Sequence, residues 1–468
     1  MIAALLWGAF AAPIDDRVGP EALPAWATPS GTVQLESDWW TTFADPGLVE
    51  VMQTALARNR DLAAAFARTA AADANATGAL APLLPTVSAA ANATVAPTES
   101  LGFQFGGLPT APGQAEPPKA YWSGQATLNA SWDLDLFLRS QANASASRHD
   151  AAAAAGDRDA AVLAFATRVA EGYFDVITAR ERVRLTERQV ADATALLEIV
   201  EMRYQAGDAA SVDLLQQRQS AARTRAQLPL ARATAKALEH QLAVALSLPP
   251  ATQVPAVANE LPDLPPLPDA GVPADLVLNR PDLRAAEERI ASATDRRRNA
   301  VRSLFPTVRL TGTAGWQFFD LVEYSDQTFW NAGGSLSVPL FGGGRTQATI
   351  RAARATEHAQ VHAYTQLAAN AVLEVENALV NETHRALHRE AVEEQTVAAR
   401  AALDEAREQY VRGVGNYLAL LTAQNTRDAA ELALLDSHRQ LLSARVQLHD
   451  ALGGAWVDAM SARLGENR

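Results

Sequence analysis

The sequence predicts a mainly α-helical chain that carries four membrane-type β-strands and is built as a tandem duplication. Three observations predict it. Two long alanine-rich stretches contain no proline, four segments alternate between apolar and polar residues, and matched residues recur at constant offsets.

Proline marks the divisions. None occurs from Lys119 to Leu228 and none after Pro339, whereas nine fall between Pro249 and Pro281. Proline lacks an N–H and clashes with the preceding helical turn, so the dense stretch reads as an extended linker. The proline-free stretches, rich in Ala with Glu, Arg and Gln, favour helix. Leu138–Gln205 and Gly342–Gln409 are each 68 residues long, roughly 100 Å as one continuous helix. Shorter runs follow at Ser211–Leu248 and Asn416–Leu452, and Pro229 is expected to kink or break the first of these. Helices of this length point to a coiled coil or helical repeat.

The duplication is visible residue by residue. Tyr204 and Gly207 recur as Tyr410 and Gly413, an offset of 206. At the same offset Leu214 and Leu215 match Leu420 and Leu421, Leu242 and Leu246 match Leu448 and Leu452, and Arg139 and Gln141 match Arg345 and Gln347. Upstream, Leu83-Leu84-Pro85 matches Leu304-Phe305-Pro306 at an offset of 221.

Each copy has two strand-like segments ahead of its long helix. In Tyr121–Asp133, Trp122, Gly124, Ala126, Leu128, Ala130 and Trp132 share one face, and Ser123, Gln125, Thr127, Asn129, Ser131 and Asp133 the other. Thr86–Val95, Thr307–Trp316 and Phe329–Val338 repeat the pattern. A soluble half-buried sheet alternates in the same way. The small hydroxyl and amide side chains of the polar faces favour a membrane barrel with a wet interior. Trp122 and Trp132 lie about 33 Å apart along a strand, or about 24 Å when tilted near 45°, which suits the aromatic girdles of such a barrel. Trp316 and Trp330 are the corresponding girdle candidates in the second copy. Four strands cannot close a barrel, and an open edge in lipid is prohibitive, so this reading requires several chains; three would supply twelve strands.

In order, the chain divides into an apolar start at 1–12, an N-terminal segment at 13–85, a strand pair at 86–133 with a loop at 96–120, and a helical repeat at 134–248. A proline-rich segment at 249–300 follows, then a second strand pair at 301–340 with a loop at 317–328, a second helical repeat at 341–452 and a tail at 453–468. The start, Ile2 to Ala12, resembles the core and cleavage site of a secretory signal without its basic n-region; an apolar arm would read the same.

Composition removes several classes. There are 53 acidic and 40 basic residues, a formal charge of -13, the opposite of what an electrostatic nucleic-acid binder carries. The chain has no cysteine, which excludes disulfides, thiolate metal sites, a cysteine nucleophile and a lipidated N-terminal cysteine. No Ser/His/Asp constellation is indicated, so no catalytic residue and no cofactor are expected. Gly342-Gly343-Gly344-Arg345 lacks the ending of a phosphate loop and fits a strand-to-helix transition. His358/His362 and His384/His388 have a metal-compatible spacing but read as exposed helix faces, so no metal site is expected.

Six short motifs, in order, carry a resemblance over nearly the whole chain from Trp39. They are Trp39-Trp40-Thr41-Thr42-Phe43-Ala44-Asp45-Pro46, Leu83-Leu84-Pro85, Ser131-Trp132-Asp133-Leu134-Asp135-Leu136-Phe137, Arg280-Pro281-Asp282-Leu283, Pro339-Leu340-Phe341-Gly342-Gly343-Gly344-Arg345 and Leu452-Gly453-Gly454. The chain resembles the outer membrane efflux protein family, the TolC-like exit ducts, and is most similar to the NodT-type branch. The resemblance implies a homotrimer with a twelve-stranded β-barrel in outer-membrane lipid, four strands per chain, and a long α-helical barrel in the periplasm. It implies no enzymatic activity. The partners it implies are a periplasmic adaptor and an inner-membrane pump, of the proton-driven drug or metal type. A type I protein-secretion duct is the alternative within the family, and a soluble coiled-coil scaffold the alternative outside it. Many relatives of this branch are lipoproteins anchored through an N-terminal cysteine, so attachment here is expected from the barrel itself.

The resemblance also places the Tyr-x-x-Gly turns at the periplasmic tip, where paired helices close the duct. Its candidates are Arg203, Tyr204, Gly207, Asp208 and Asp213 in the first copy and Tyr410, Arg412, Gly413 and Tyr417 in the second. Glycine permits the chain reversal at positive φ. Asp213 matches the family's gate aspartate. Gly415 and Ala419 stand where well-known members have a basic and an acidic residue, so the expected lock joins Asp213 to Arg412 and Tyr410. Acidic residues on helix faces lining the lumen would favour cations.

Overall fold

The computed structural model describes residues 38–97, 120–252, 254, 257–270, 280–320, 324–454 and 456–466. The apolar start and most of the loop at 96–120 lie outside them. The described residues fall into two compact units, one from Thr69–Ala154 and Ala286–His362, the other from Met1–Arg68, Ala155–Ala285 and Ala363–Arg468.

The first unit is organised by a sheet. Strands β1 (Thr86–Pro97), β2 (Ala120–Leu134), β3 (Thr307–Asp320) and β4 (Tyr324–Ser337) pair antiparallel in the order β1-β2-β3-β4. The register keeps like with like, as a period of two requires. Val95 faces Trp122, Ala91 faces Ala126 and Ala89 faces Leu128; on the opposite face Asn92 is opposite Gln125 and Ser88 opposite Asn129. The loop expected at 317–328 is shorter than its span suggested. Strand β3 runs to Asp320 and β4 resumes at Tyr324. Gln317 pairs with Gln327 and Phe319 with Ser325, so alternation continues through residues whose mixed aromatic and polar character concealed it.

Glycine and aromatic residues interlock through this sheet. A Cβ on Gly124 would lie 2.3 Å from the Phe318 ring, and one on Gly315 would lie 3.0 Å from the Phe329 ring and 2.7 Å from the Ala126 carbonyl oxygen. Each glycine lets an aromatic ring of the neighbouring strand lie flat against the backbone.

The second unit is helical. Helix α1 (Pro46–Arg58) starts on proline, and the Asp45 carboxylate accepts hydrogen bonds from the Gly47 and Leu48 N–H groups at 2.8 and 3.2 Å. The other Asp45 oxygen accepts from the Tyr173 hydroxyl at 2.8 Å, and that hydroxyl accepts from the Ala258 N–H at 3.1 Å. Burial, reinforced by the Asp45 carboxylate, pushes the Tyr173 phenol well above its usual pKa. One side chain thus ties the N-terminal motif and the linker to a long helix. Trp39, Trp40, Phe43, Met52, Tyr173, Phe174, Ile177, Leu246 and Val457 form the core around it.

The remaining helices in chain order are α2 (Arg60–Gly78), α3 (Arg139–Gln205), α4 (Ser211–Ala245), α5 (Pro281–Arg302), α6 (Arg345–Val411), α7 (Tyr417–Leu452) and α8 (Trp456–Glu466). Both long helices, α3 and α6, are 67 residues. Of the kink or break expected at Pro229, the break does not occur: helix α4 runs through it. Pro229 and Leu230 are exposed, so solvent can serve the carbonyl whose partner N–H the proline lacks.

The linker is strapped down by charge. Arg445, 1% exposed, pairs with Glu382, and its guanidinium also donates to the carbonyl oxygens of Pro265 and Pro266 at 2.5 and 2.7 Å. Among its described residues the proline-dense linker forms no helix that could supply donors to these carbonyls, and a buried cation satisfies them. Arg280 acts similarly, donating to Glu374 at 2.7 Å and to the Ala451 carbonyl at 3.0 Å.

Candidate functional site

Two places carry functional potential, the turns joining each helix pair and the two faces of the sheet. Most of the predicted residues lie at the turns.

Gly207 and Gly413 take φ values of 82° and 76°, the left-handed conformation anticipated from the repeated motif. In the second unit a small apolar cluster of Leu196, Val200, Leu214, Tyr410, Tyr417 and Leu420 joins helices α3, α4, α6 and α7 beside them. The Tyr417 hydroxyl donates to the Gln217 side-chain oxygen at 3.0 Å, and Gln217, fully buried, donates onward to the Ala193 carbonyl at 3.2 Å. Tyr410 and Tyr417 meet edge to face with ring centroids 6.3 Å apart. Burial raises both phenols above their usual pKa, and the nearby Asp213 charge adds to this; for Tyr410 the Arg203 cation opposes it.

The residue that joins the two turns is Arg203. Its guanidinium carbon lies 4.5 Å from the Tyr410 ring centroid, and the group donates to the Tyr410 carbonyl oxygen and, at 3.4 Å, to that of Asp208. A side chain from the last turn of α3 therefore adds a second donor to a carbonyl at the end of α6 that also accepts from the Gly413 N–H at 3.1 Å. The expected lock between Asp213 and Arg412 is not formed within the chain. Arg412 pairs instead with Glu408, four residues back on its own helix. Among the described residues neither Arg412 nor Tyr410 hydrogen-bonds the Asp213 carboxylate, and the buried Tyr410 hydroxyl has no partner. The reason is local: Arg412 lies one residue past α6, where Glu408 is its nearest anion, whereas Arg203 lies under the opposite turn. Tyr204 is exposed, and the Asp208 N–H closes the first turn on the Arg203 carbonyl at 2.8 Å.

The sheet presents one polar and one apolar face. On the polar face Asn92, Gln125, Gln317 and Gln327 form a row of carboxamides across all four strands. A second row runs through Ser88, Asn129, Thr313 and Asn331, in which the Thr313 hydroxyl donates to the Asn129 oxygen at 3.0 Å. The charged residues of this face are Asp133 and Arg309, joined by two hydrogen bonds of 2.6 and 2.9 Å, so it carries no net charge. The apolar face holds Trp122 and Trp132 near the two ends of β2. Trp316 and Trp330 share that face but lie opposite Ala126 and Ala314, toward the middle of the register, and Trp316 donates its indole N–H to Asp326 at 3.0 Å. Below the strands the apolar motifs Leu84, Leu136, Phe137, Phe305, Leu340 and Phe341 are exposed.

A sheet with one apolar face, one polar face of no net charge and two long helix pairs ending in matched glycine turns defines a class of membrane channel protein. The chain belongs to the outer membrane efflux protein family, which it matches over residues 51–247 and 272–454. It is an outer-membrane efflux channel protein of the TolC-like kind and not an enzyme. It is 30% identical over 450 residues to the pyoverdine export outer membrane protein OpmQ of Pseudomonas putida, covering 95% of this chain and 94% of that one. It is 28% identical to Nodulation protein T of Rhizobium leguminosarum bv. trifolii, covering 93% and 91%. Among solved structures, the outer-membrane channel OprN superposes with a TM-score of 0.82 at 28% identity, covering 95% of this chain and 99% of that one.

Proposed function

We propose that three copies of this chain form a passive duct that releases small molecules to the outside, fed by an inner-membrane pump through a periplasmic adaptor. One observation carries the reading: a four-stranded sheet with one face apolar and the other polar without net charge, both of whose outer edges lack a neighbouring strand among the described residues. In lipid such edges must be paired, and only closure on further copies pairs them all. Twelve strands follow from three copies. The relative named for pyoverdine export supports a small organic cargo over a secreted protein.

The turns are the gate in this reading. Arg203 holds the two turns of one chain together by a cation–π contact and its carbonyl hydrogen bonds, in the place first assigned to Arg412. Tyr410, Tyr417 and Gln217 form the buried hinge behind it. Asp213 contributes charge at the mouth, and Tyr204, Asp208, Gly207 and Gly413 shape the turns. Trp122 and Trp132 mark the two membrane interfaces.

The test is electrical and hydrodynamic. The purified chain is expected to sediment with the mass of three copies and to open ion-conducting steps in a planar bilayer. A single-copy mass, or bilayers that stay silent, overturns the reading.

A further inference from the structure

The duplication fixes more than the existence of two repeats. Thr86 pairs with Ser131 and, in the second copy, Thr307 pairs with Ser337. The equivalence therefore maps β1 onto β3 at the offset of 221 and β2 onto β4 at 206, the offset that also relates the long helices. The hairpin-to-hairpin junction inside one chain, β2 against β3, then has a counterpart: β4 of one copy against β1 of the next. Both strands are sheet edges here.

We propose that the seam between copies repeats the β2–β3 register, placing Ser335 of one chain opposite Asn92 of its neighbour. The inference rests on the multi-copy barrel proposed above and assigns its residue pairs. Asn129 opposite Thr313 becomes Ser335 opposite Asn92; Ser131 opposite Thr311 becomes Ser337 opposite Ala90; Ala130 opposite Gly312 becomes Leu336 opposite Ala91.

The residues at these positions agree with the mapping. Inside the chain an amide on β2 receives a hydroxyl from β3 at 3.0 Å. Across the seam the same two chemistries meet with the strands exchanged, a Ser335 hydroxyl and an Asn92 amide. On the other face Leu134 opposite Val308 becomes Leu340 opposite Val87, and Trp132 opposite Leu310 becomes Val338 opposite Ala89. Leu340, Leu336 and Val87 are 92%, 68% and 63% exposed in the single chain, so apolar surface awaits covering along this line. Polar residues meet polar ones or alanine, and apolar meet apolar, at every pair named. A slip of one residue would set the polar face of one copy against the apolar face of the next.

One pair differs instructively. The Asp133–Arg309 ion pair maps onto Pro339 and Ser88, so the seam lacks the charge clasp that fastens the two hairpins within a chain. The seam depends on backbone pairing and the aliphatic contacts. It would be the first place the barrel opens.

The absence of cysteine makes the test clean. Full-length chains carrying Ser335→Cys with Asn92→Cys, or Ser337→Cys with Ala90→Cys, are oxidised in outer membranes and run without reductant. Opposed antiparallel residues have Cα atoms about 4.5–5.5 Å apart, within disulfide reach. Within one chain β1 and β4 are separated by two strands, about 14 Å at 4.8 Å per strand, so a bridge can form only between copies. The expected result is covalent dimers and trimers from both pairs, several-fold above the two-residue slips Ser335→Cys with Ala90→Cys and Ser335→Cys with Thr94→Cys. Single-cysteine chains show whether each substitution leaves outer-membrane accumulation intact. A slipped pair linking better, or no pair linking while the native mass is that of three copies, overturns the register and leaves the trimer standing. A native mass of one copy overturns both.

Discussion

Leu138, Gly207 and Ser247 in the first repeat correspond to Gly344, Gly413 and Gly453 in the second, and all six take positive φ. The duplicated backbone has kept its left-handed positions where each long helix begins, where each turn reverses and where each second helix ends. Its side-chain ties have diverged. The second repeat buries the Arg445–Glu382 pair, whereas the equivalent positions of the first hold Glu239, which pairs with Arg180 and Lys236 nearer the surface, and buried Val176. Arg203, the residue joining the two turns, has only Gln409 as its counterpart. Backbone geometry is therefore the shared inheritance, and each repeat holds its neighbours by its own means.

Breaking the ties should expose the asymmetry most strongly. Glu382→Ala leaves a buried guanidinium without its anion and is expected to cost about 3–5 kcal/mol, read as a lowered thermal midpoint by circular dichroism in detergent. Removing the first repeat's own anion at the position matching Arg445, Glu239→Ala, is expected to cost below about 1 kcal/mol because its partners are partly solvated.

A smaller asymmetry is pH-dependent. Burial raises the Asp428 carboxyl to about 6 against the pull of Arg427, with Glu431 and Asp192 adding to the rise; Ala222 occupies the first-repeat position. A folded pKa above the unfolded value gives stability that is present at low pH and lost as pH rises from about 4 through about 6. Asp428→Asn should flatten that decline in thermal midpoint between pH 4 and 7. The largest change available is about 3 kcal/mol. An unchanged slope would show that other groups carry it.

Smaller effects than those of the buried charges belong to the backbone. Gly344→Leu adds a Cβ that meets open space, so only the left-handed strain of about 1–2 kcal/mol should appear. Leu138→Gly, at the matching position, should recover up to about 1 kcal/mol. Opposite signs in chemical unfolding would sharpen the backbone equivalence, and equal signs would break it.

Much of this was legible in the sequence because the duplication repeats it. The glycine turns, the long helices and the two faces of the strands follow from spacing alone. Phe318, Phe319 and Tyr324 hid the ends of β3 and β4, because aromatic residues there fall on both faces: Phe318 lies against Gly124, Phe319 against Tyr121, and Tyr324 stacks on Phe318. The helix through Pro229 was unreadable, since exposure decides whether a missing N–H matters. At the turns, sequence named both Arg203 and Arg412 and placed Arg412 in the lock; within the chain Arg412 pairs with Glu408 and it is Arg203 that reaches Tyr410. A guanidinium can reach another helix's terminal carbonyl, and only the packing of α3 beside α6 shows that it does.

The conductance of Arg203→Ala beside the parent chain in a planar bilayer tests the central claim that matched turns close a shared duct. The account predicts discrete steps from the parent and larger or more frequent openings from Arg203→Ala, with Arg203→Lys between them. Silence from the parent, or identical openings from parent and Arg203→Ala, would contradict it.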